Sequence, residues 1–208
     1  MSQHTMVNIL EAVSLIKTFD ATLAQKVSDD EDLIDKYEDK LGTYLVKLSS
    51  QSLSNEDSQV VSKILHAIGD FERLGDHACN LADVAKEMYE KKITFSPNAT
   101  REIKVLTDAI QEILNITACA YDGDSVELAA KVEPLEQVID DLKEKLRIHH
   151  ILRLQQGACS IETGFVWSDL LNALGLPKGA ERYTNADQLD NTKYFYQSDV
   201  LIDALELA

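Results

Sequence analysis

DFERLGDHACNLADV, residues 70–84, is the stretch on which the fold turns. Phe71, Gly75, Ala78 and Ala82 recur at spacings of four and three, which is the period of a helix seam rather than of a strand. Ile64 and Ile68 continue that seam upstream and Ala85 continues it downstream, so one long helix is expected from about Ser54 to about Lys91. Its small residues let a neighbouring helix come close, as in an antiparallel bundle. The same stretch places Glu72 and Asp76 four apart, one turn above each other, where two carboxylates repel. Solvent, a basic partner or a bound cation must offset that repulsion.

Working outward toward the N-terminus, Ile9, Val13, Ile16, Phe19, Leu23 and Val27 fall near a 3.6-residue period and predict a first helix over residues 6–27. Ser28, followed by DDEDL, reads as the cap and acidic first turn of a second, with Ile34, Tyr37, Leu41, Tyr44 and Leu48 as its seam. SSQSLSNEDS then breaks the pattern before the third helix. On the other side, TFSPNAT at residues 94–100 is the clearest boundary, because Pro97 and its polar neighbours suit a loop and a new cap. Beyond it the plan repeats, with helices expected over 101–121 and 125–156 and an apolar segment over 161–174. DLIDKYEDKL from Asp32 aligns without a gap on QVIDDLKEKL from Gln137, as a tandem duplication would. The expected fold is all-α: two tandem three-helix bundles of six long antiparallel helices, residues 1–93 and 98–174, with a divergent tail at 175–208. The tail's SDVLIDALELA reads as one short amphipathic helix.

The chain has 208 residues, only 8 Gly and 3 Pro, and a net charge of −16. Such a field repels phosphate backbones and anionic lipid, which argues against nucleic acid as a partner. It suits cations or a basic partner, and solubility alone explains many acidic surfaces. Cys79, Cys119 and Cys159 are odd in number and lack any CxxC pairing, so they read as reduced, semi-buried thiols and not as a disulfide framework or zinc site. No apolar run approaches the ~20 residues needed to span a bilayer, and the first residues lack the layout of a signal peptide. A soluble, cytoplasmic chain is expected.

Three segments share one pattern: IDKYED from Ile34, FERLGD from Phe71 and IDDLKE from Ile139. Each carries two acids at i, i+4, namely Asp35 with Asp39, Glu72 with Asp76, and Asp140 with Glu144. At 100° per residue both acids of a pair lie roughly 120° round from the preceding seam residue, on the flank of the bundle. Two such flanks side by side would gather four hard oxygen donors, enough for a divalent or trivalent metal or a small cluster. The plain alternative is a set of hydrated carboxylates on a polar face.

Of the neighbours, His77 can complete such a site or simply bond Asp76, and Arg73 most simply neutralises Glu72. HHILR from His149, with Arg153 a turn on, can gather phosphate or else sit on a helix surface near a C-terminus, where positive charge suits the dipole. A di-iron bundle enzyme would need paired Glu-x-x-His ligands, and no His here has a Glu three residues before it. Nor is there a nucleophile-and-base arrangement, a glycine-rich phosphate loop or HExxH. Catalysis is not expected.

DFERLGDHACNLADVA resembles the signature of PhoU-type phosphate uptake regulators, an acid-Arg-x-x-Asp-His run followed by Asn on the third helix of a repeated three-helix unit. VIDDLKEKLRIHHILRLQQGAC is similar to the second repeat of the PhoU-like domain in the cytosolic part of sodium/phosphate cotransporter family proteins. The resemblance implies two similar helical bundles that bind multinuclear clusters of metal ions such as iron, zinc or magnesium and restrain phosphate import. It implies that Asp35, Asp39, Glu72 and Asp76 hold a first cluster and that Asp140 and Glu144 contribute to a second. It also implies a phosphate transporter or its membrane domain as partner at the inner face of the membrane, with a sensor kinase and a second copy of the chain as further partners. The sequence departs from the pattern after DLLNAL, where GLPKGAERYTN stands: Glu181 and Arg182 come late and Asn185 replaces an Asp. A neutral amide does not supply that charge, so the second cluster is expected to be incomplete. Two other readings stand beside this one: a metal-independent interaction module whose grooves take a partner helix, and a bundle metalloenzyme.

Overall fold

A computed structural model of the chain describes residues 1–123 and 125–175. The expectations for Glu181, Arg182, Asn185 and the tail helix lie outside the described residues. Helix is the only regular structure among the described residues, and the chain divides into two compact units, Met1–Ala85 and a second that begins at Lys86.

In the first unit, α1 (Ser2–Leu15), α2 (Ala21–Ser49) and α3 (Asn55–Glu90) supply three apolar stripes. Ile9, Ala12, Val13 and Leu15 from α1, Val27 and Ile34 from α2, and Ile68, Phe71, Leu74 and Ala78 from α3 are buried. Each large apolar side chain so buried stabilises the unit by roughly 1.5–3 kcal/mol. A second cluster forms toward the other end, where Leu45, Val61 and Ile68 pack with Leu48, Leu53 and Leu65. The stripe read as one helix over 6–27 is two helices. Asp20 leaves the helical conformation and its side chain accepts from the amides of Thr22 and Leu23, at 2.7 and 3.1 Å, so it caps α2 eight residues before Ser28. Apolar periodicity runs through this break because the short turn returns Val27 to the interior. At the start of α3, Ser54 Oγ accepts from the amide of Asp57 while its hydroxyl donates to the Asp57 carboxylate.

The second unit contains α4 (Pro97–Asp122), α5 (Val126–Ala129), α6 (Val132–Gln155) and α7 (Ile161–Ala173). TFSPNAT behaves as its sequence predicts, with Ser96 as the cap of α4 and Pro97 in its first turn. The helix expected over 125–156 is broken into α5 and α6. Pro134 has no N–H to give and its ring crowds the carbonyl of Ala130, which is where α5 stops. α6 ends in a Schellman turn: Gly157 takes φ +66°, Ala158 N–H reaches Arg153 O and Gly157 N–H reaches Leu154 O. That turn aims the chain at Ser160, which caps α7. Leu106, Ile110, Leu142, Leu146, Val166, Trp167, Leu170 and Leu171 form the core of this unit. No described helix is long and apolar enough to cross a membrane.

Candidate functional site

Gly75 positions the site. A Cβ built on it would stand 3.4 Å from Ile34 Cδ1 and 3.6 Å from Glu31 Cγ, so the flank of α2 rests against the bare backbone of α3 at this residue. With Ile34 and Gly75 in register, the acids on either side meet across the pair. Burial and then the charges of Asp76, Glu38 and Asp35 hold the Glu72 carboxyl above the ordinary carboxylate range, aided by a hydrogen bond with Asp76. Burial and then Asp35, Asp76 and Asp32 do the same to Glu31. Low residues of α2 therefore meet high residues of α3, the mark of antiparallel helices.

The structure thus brings together Asp35, Glu72 and Asp76 from the expected set and adds Glu31 and Glu38. Glu31 forms an i, i+4 pair with Asp35, the same spacing as Glu72 with Asp76, so the two facing ledges are each an acid-x-x-x-Asp step. That spacing was visible in EDLID; what the sequence did not reveal was which turn of α2 faces Gly75. Asp39 lies a turn beyond Asp35 and is exposed.

Arg73 does not neutralise Glu72. Its guanidinium donates to Asp70 Oδ1 at 2.6 Å and to the carbonyl of Gly69, away from the ledge. Cys79, a turn further along α3, feels the same field: burial first, then Glu31, Asp83, Asp76 and Asp32, pushes its thiol up to about 12. It is half-buried and fully protonated at neutral pH, as is expected of an inert thiol. Cys119 is exposed, against the semi-buried position expected for it.

Glu31 and Glu72, half-buried beside the exposed Asp35 and Asp76, form a group of like charges that suits a hard cation as ligand. The donor set is all oxygen apart from the protonated Cys79. Among the described residues, no three or more His, Cys, Asp or Glu side chains already close on one point as a preformed metal site. Asp140 and Glu144 of α6 are both exposed, and Glu144 lies 3.5 Å from Arg147.

The second unit treats its acid differently. Glu102 of α4 is buried, and its two oxygens take His149 Nδ1 and Arg153 Nη1, each at 2.8 Å. Of HHILR, His150 is buried and His149 and Arg153 pair with Glu102, whereas Ile151 and Leu152 are exposed. Glu102 went unread in the sequence because its partners lie 47 and 51 residues away, beyond any local spacing.

Comparison with known families matches residues 1–85 to the PhoU domain. Over those residues the chain is similar to the PhoU domain. The match covers α1, α2 and most of α3, including both acidic ledges. The PhoU homolog 1 of Thermotoga maritima, named as a phosphate-specific transport system accessory protein, is 26% identical over 159 residues, 76% of this chain and 67% of that one. A PhoU homolog of Pseudomonas aeruginosa with the same description is 25% identical over 139 residues, 66% of this chain and 57% of that one. The chain thus spans about two thirds or less of the length of these PhoU relatives. The crystal structure of PhoU from Pseudomonas aeruginosa matches with a TM-score of 0.79 over 100% of this chain and 93% of that one, at 18% identity, a likeness of fold.

Proposed function

We propose that this chain is a non-enzymatic, cytoplasmic regulator of phosphate transport whose α2/α3 ledge binds divalent or trivalent metal ions. The match to the PhoU domain over residues 1–85 and the relatives' description as accessory proteins of phosphate-specific transport support the regulatory role. The observation that carries the metal is Glu72, whose carboxyl is pushed above the ordinary carboxylate range by burial and then by the charges of Asp76 beside it and of Glu38 and Asp35 across from it. A cation would offset that repulsion and turn it into coordination. Glu31, Asp35, Glu72 and Asp76 would be the main ligands, with Asp39 able to join from the next turn of α2, and the ion would tie α2 to α3. Asp140 and Glu144 would hold a second, weaker site, in keeping with their exposure. The partner is a phosphate transporter or its membrane domain, in line with the resemblance to cotransporter domains; a sensor kinase and a second copy of the chain are further partners of the same kind.

Metal analysis of the purified chain, beside the Glu72→Ala/Asp76→Ala double variant, tests the proposal. Stoichiometric iron, zinc or magnesium in the wild type and its loss in the variant are expected, with the variant still folded by circular dichroism. Equal metal content in the two samples, or none in either after incubation with each ion, would remove the ledge as a site.

A further inference from the structure

Within the second unit, the N-terminal ends of α4 and α7 and the C-terminal half of α6 surround a cavity of about 250 Å³. Three buried polar atoms belong to residues that line it and have no hydrogen-bond partner: Arg153 Nη2, Trp167 Nε1 and His150 Nε2. Trp167 is 1% exposed and His150 6%, and an unmet polar atom at such depth costs roughly 1–3 kcal/mol. Unmet donors on Arg153 and Trp167, two residues that line one space, call for a ligand.

The surroundings identify its chemistry. Arg153 is fixed from two sides, since Glu102 takes its Nη1 at 2.8 Å and its guanidinium lies 4.8 Å from the centre of the Trp167 ring. Its Nη2 is left as a held, uncommitted donor. Trp167 Nε1 can only donate. Burial and the nearby Arg153 charge press the His150 pKa down, so the imidazole is neutral and stacks on Trp167 at 5.6 Å between centres. Its Nε2 faces the room that Gly164 leaves, because a Cβ there would stand 3.0 Å away. Ser96 and Ser160, which line the same cavity, are the caps of α4 and α7, so two helix dipoles bring their positive ends to it. The Glu102 charge is already met by Arg153 and His149, and Glu162 in the first turn of α7 is exposed and lies 3.9 Å from Lys91.

We infer that this cavity binds a small tetrahedral oxyanion of the phosphate or sulfate class, with Arg153 and Trp167 as donors and the α4 and α7 N-termini completing its shell. Two held donors and two helix N-termini at one cavity suit four oxygens better than the two of a carboxylate. The volume lies below the usual range for organic ligands and matches a small ion with a few waters. The site is argued from the second unit alone and does not depend on metal at the α2/α3 ledge.

Trp167 is the single tryptophan of the chain, so its fluorescence reports the cavity directly. Titration of the full chain with inorganic phosphate, sulfate, acetate and chloride at constant ionic strength, read by fluorescence and by calorimetry, tests the inference. Phosphate or sulfate should saturate the signal with a Kd of about 1 mM or tighter, and acetate and chloride should not. Trp167→Phe, which keeps the ring packing and removes the donor, should weaken binding about tenfold by calorimetry. Arg153→Gln should weaken it further. Glu72→Ala/Asp76→Ala should leave it unchanged, which separates this outcome from that of the metal test. No saturable response to either tetrahedral anion, an equal response to acetate or chloride, or full affinity retained in Trp167→Phe would overturn the inference.

Discussion

Glu72 and Glu102 are both helical carboxylates drawn back from water, and their surroundings are opposite in sign. Glu102 has one cation and one imidazole on its two oxygens and sits deep. Glu72 faces Asp76, Glu38 and Asp35, while the arginine beside it in sequence bonds Asp70. A chain selected only for stability would spread the first group out or supply it with a lysine. The contrast separates a carboxylate whose charge is met within its own unit from one set among like charges.

The largest effect expected from breaking this contrast is at Glu102. Glu102→Ala leaves the Arg153 guanidinium buried with no counter-charge and His149 without its acceptor, and removing one partner of such a pair costs about 3 kcal/mol. Thermal denaturation should show a clearly lowered midpoint, with hydrogen exchange rising in α4 and α6. A change of the same size at Glu72→Ala in metal-free protein would erase the distinction between the two acids.

The second test concerns how close the helices come. Both sites rely on a glycine, but with different margins. A Cβ at Gly75 would make its nearest contact at 3.4 Å, with a flexible Ile34 methyl, which is ordinary packing, whereas one at Gly164 would come within 3.0 Å of His150 Nε2. His150 cannot step aside freely because it is stacked on Trp167. Gly75→Ala should therefore stabilise by up to about 1 kcal/mol through helix propensity. Gly164→Ala should destabilise by about 1 kcal/mol, since crowding outweighs the same gain. Chemical denaturation of the two variants gives both signs; matching signs would mean that the two approaches are equally loose.

How much of this was legible beforehand follows from the range over which each signal acts. Seams such as Ile64–Ile68–Phe71–Gly75 and the boundary at Pro97 depend on neighbours within a few residues, and the all-α reading and the α3/α4 limits came straight from them. The helix break at Asp20 was hidden because apolar period carried across it, and the break before α6 was hidden because the apolar period also runs past Pro134. Asp35, Glu72 and Asp76 are legible as candidates from their spacing. Glu31 and Glu38 are not, since only the contact of Ile34 with Gly75 fixes which turn of α2 faces α3. The Glu102–Arg153 pair joins residues 51 apart and has no local mark at all.

The smallest expected effect is also the one that reports the ledge most directly. The Glu72 carboxyl has a folded-state pKa above its unfolded value, so the folded protein holds this proton more tightly than the unfolded chain does. Stability from this group is then fully present below the ordinary carboxylate value of about 4.3 and is lost as pH rises through the raised one. Glu72→Gln keeps the shape and cannot lose a proton. In metal-free protein the variant should match the wild type in acid and exceed it at neutral pH by roughly 0.5 kcal/mol, a figure kept small because the group is only half-buried and water screens it. Saturating metal should reverse the order, because the wild type alone offers a charged carboxylate at this position and so gains more binding free energy. Melting curves across pH, with and without the ion, contain both halves of this test. A variant that stays more stable even with metal present would mean that the repulsion at α2/α3 serves no cation.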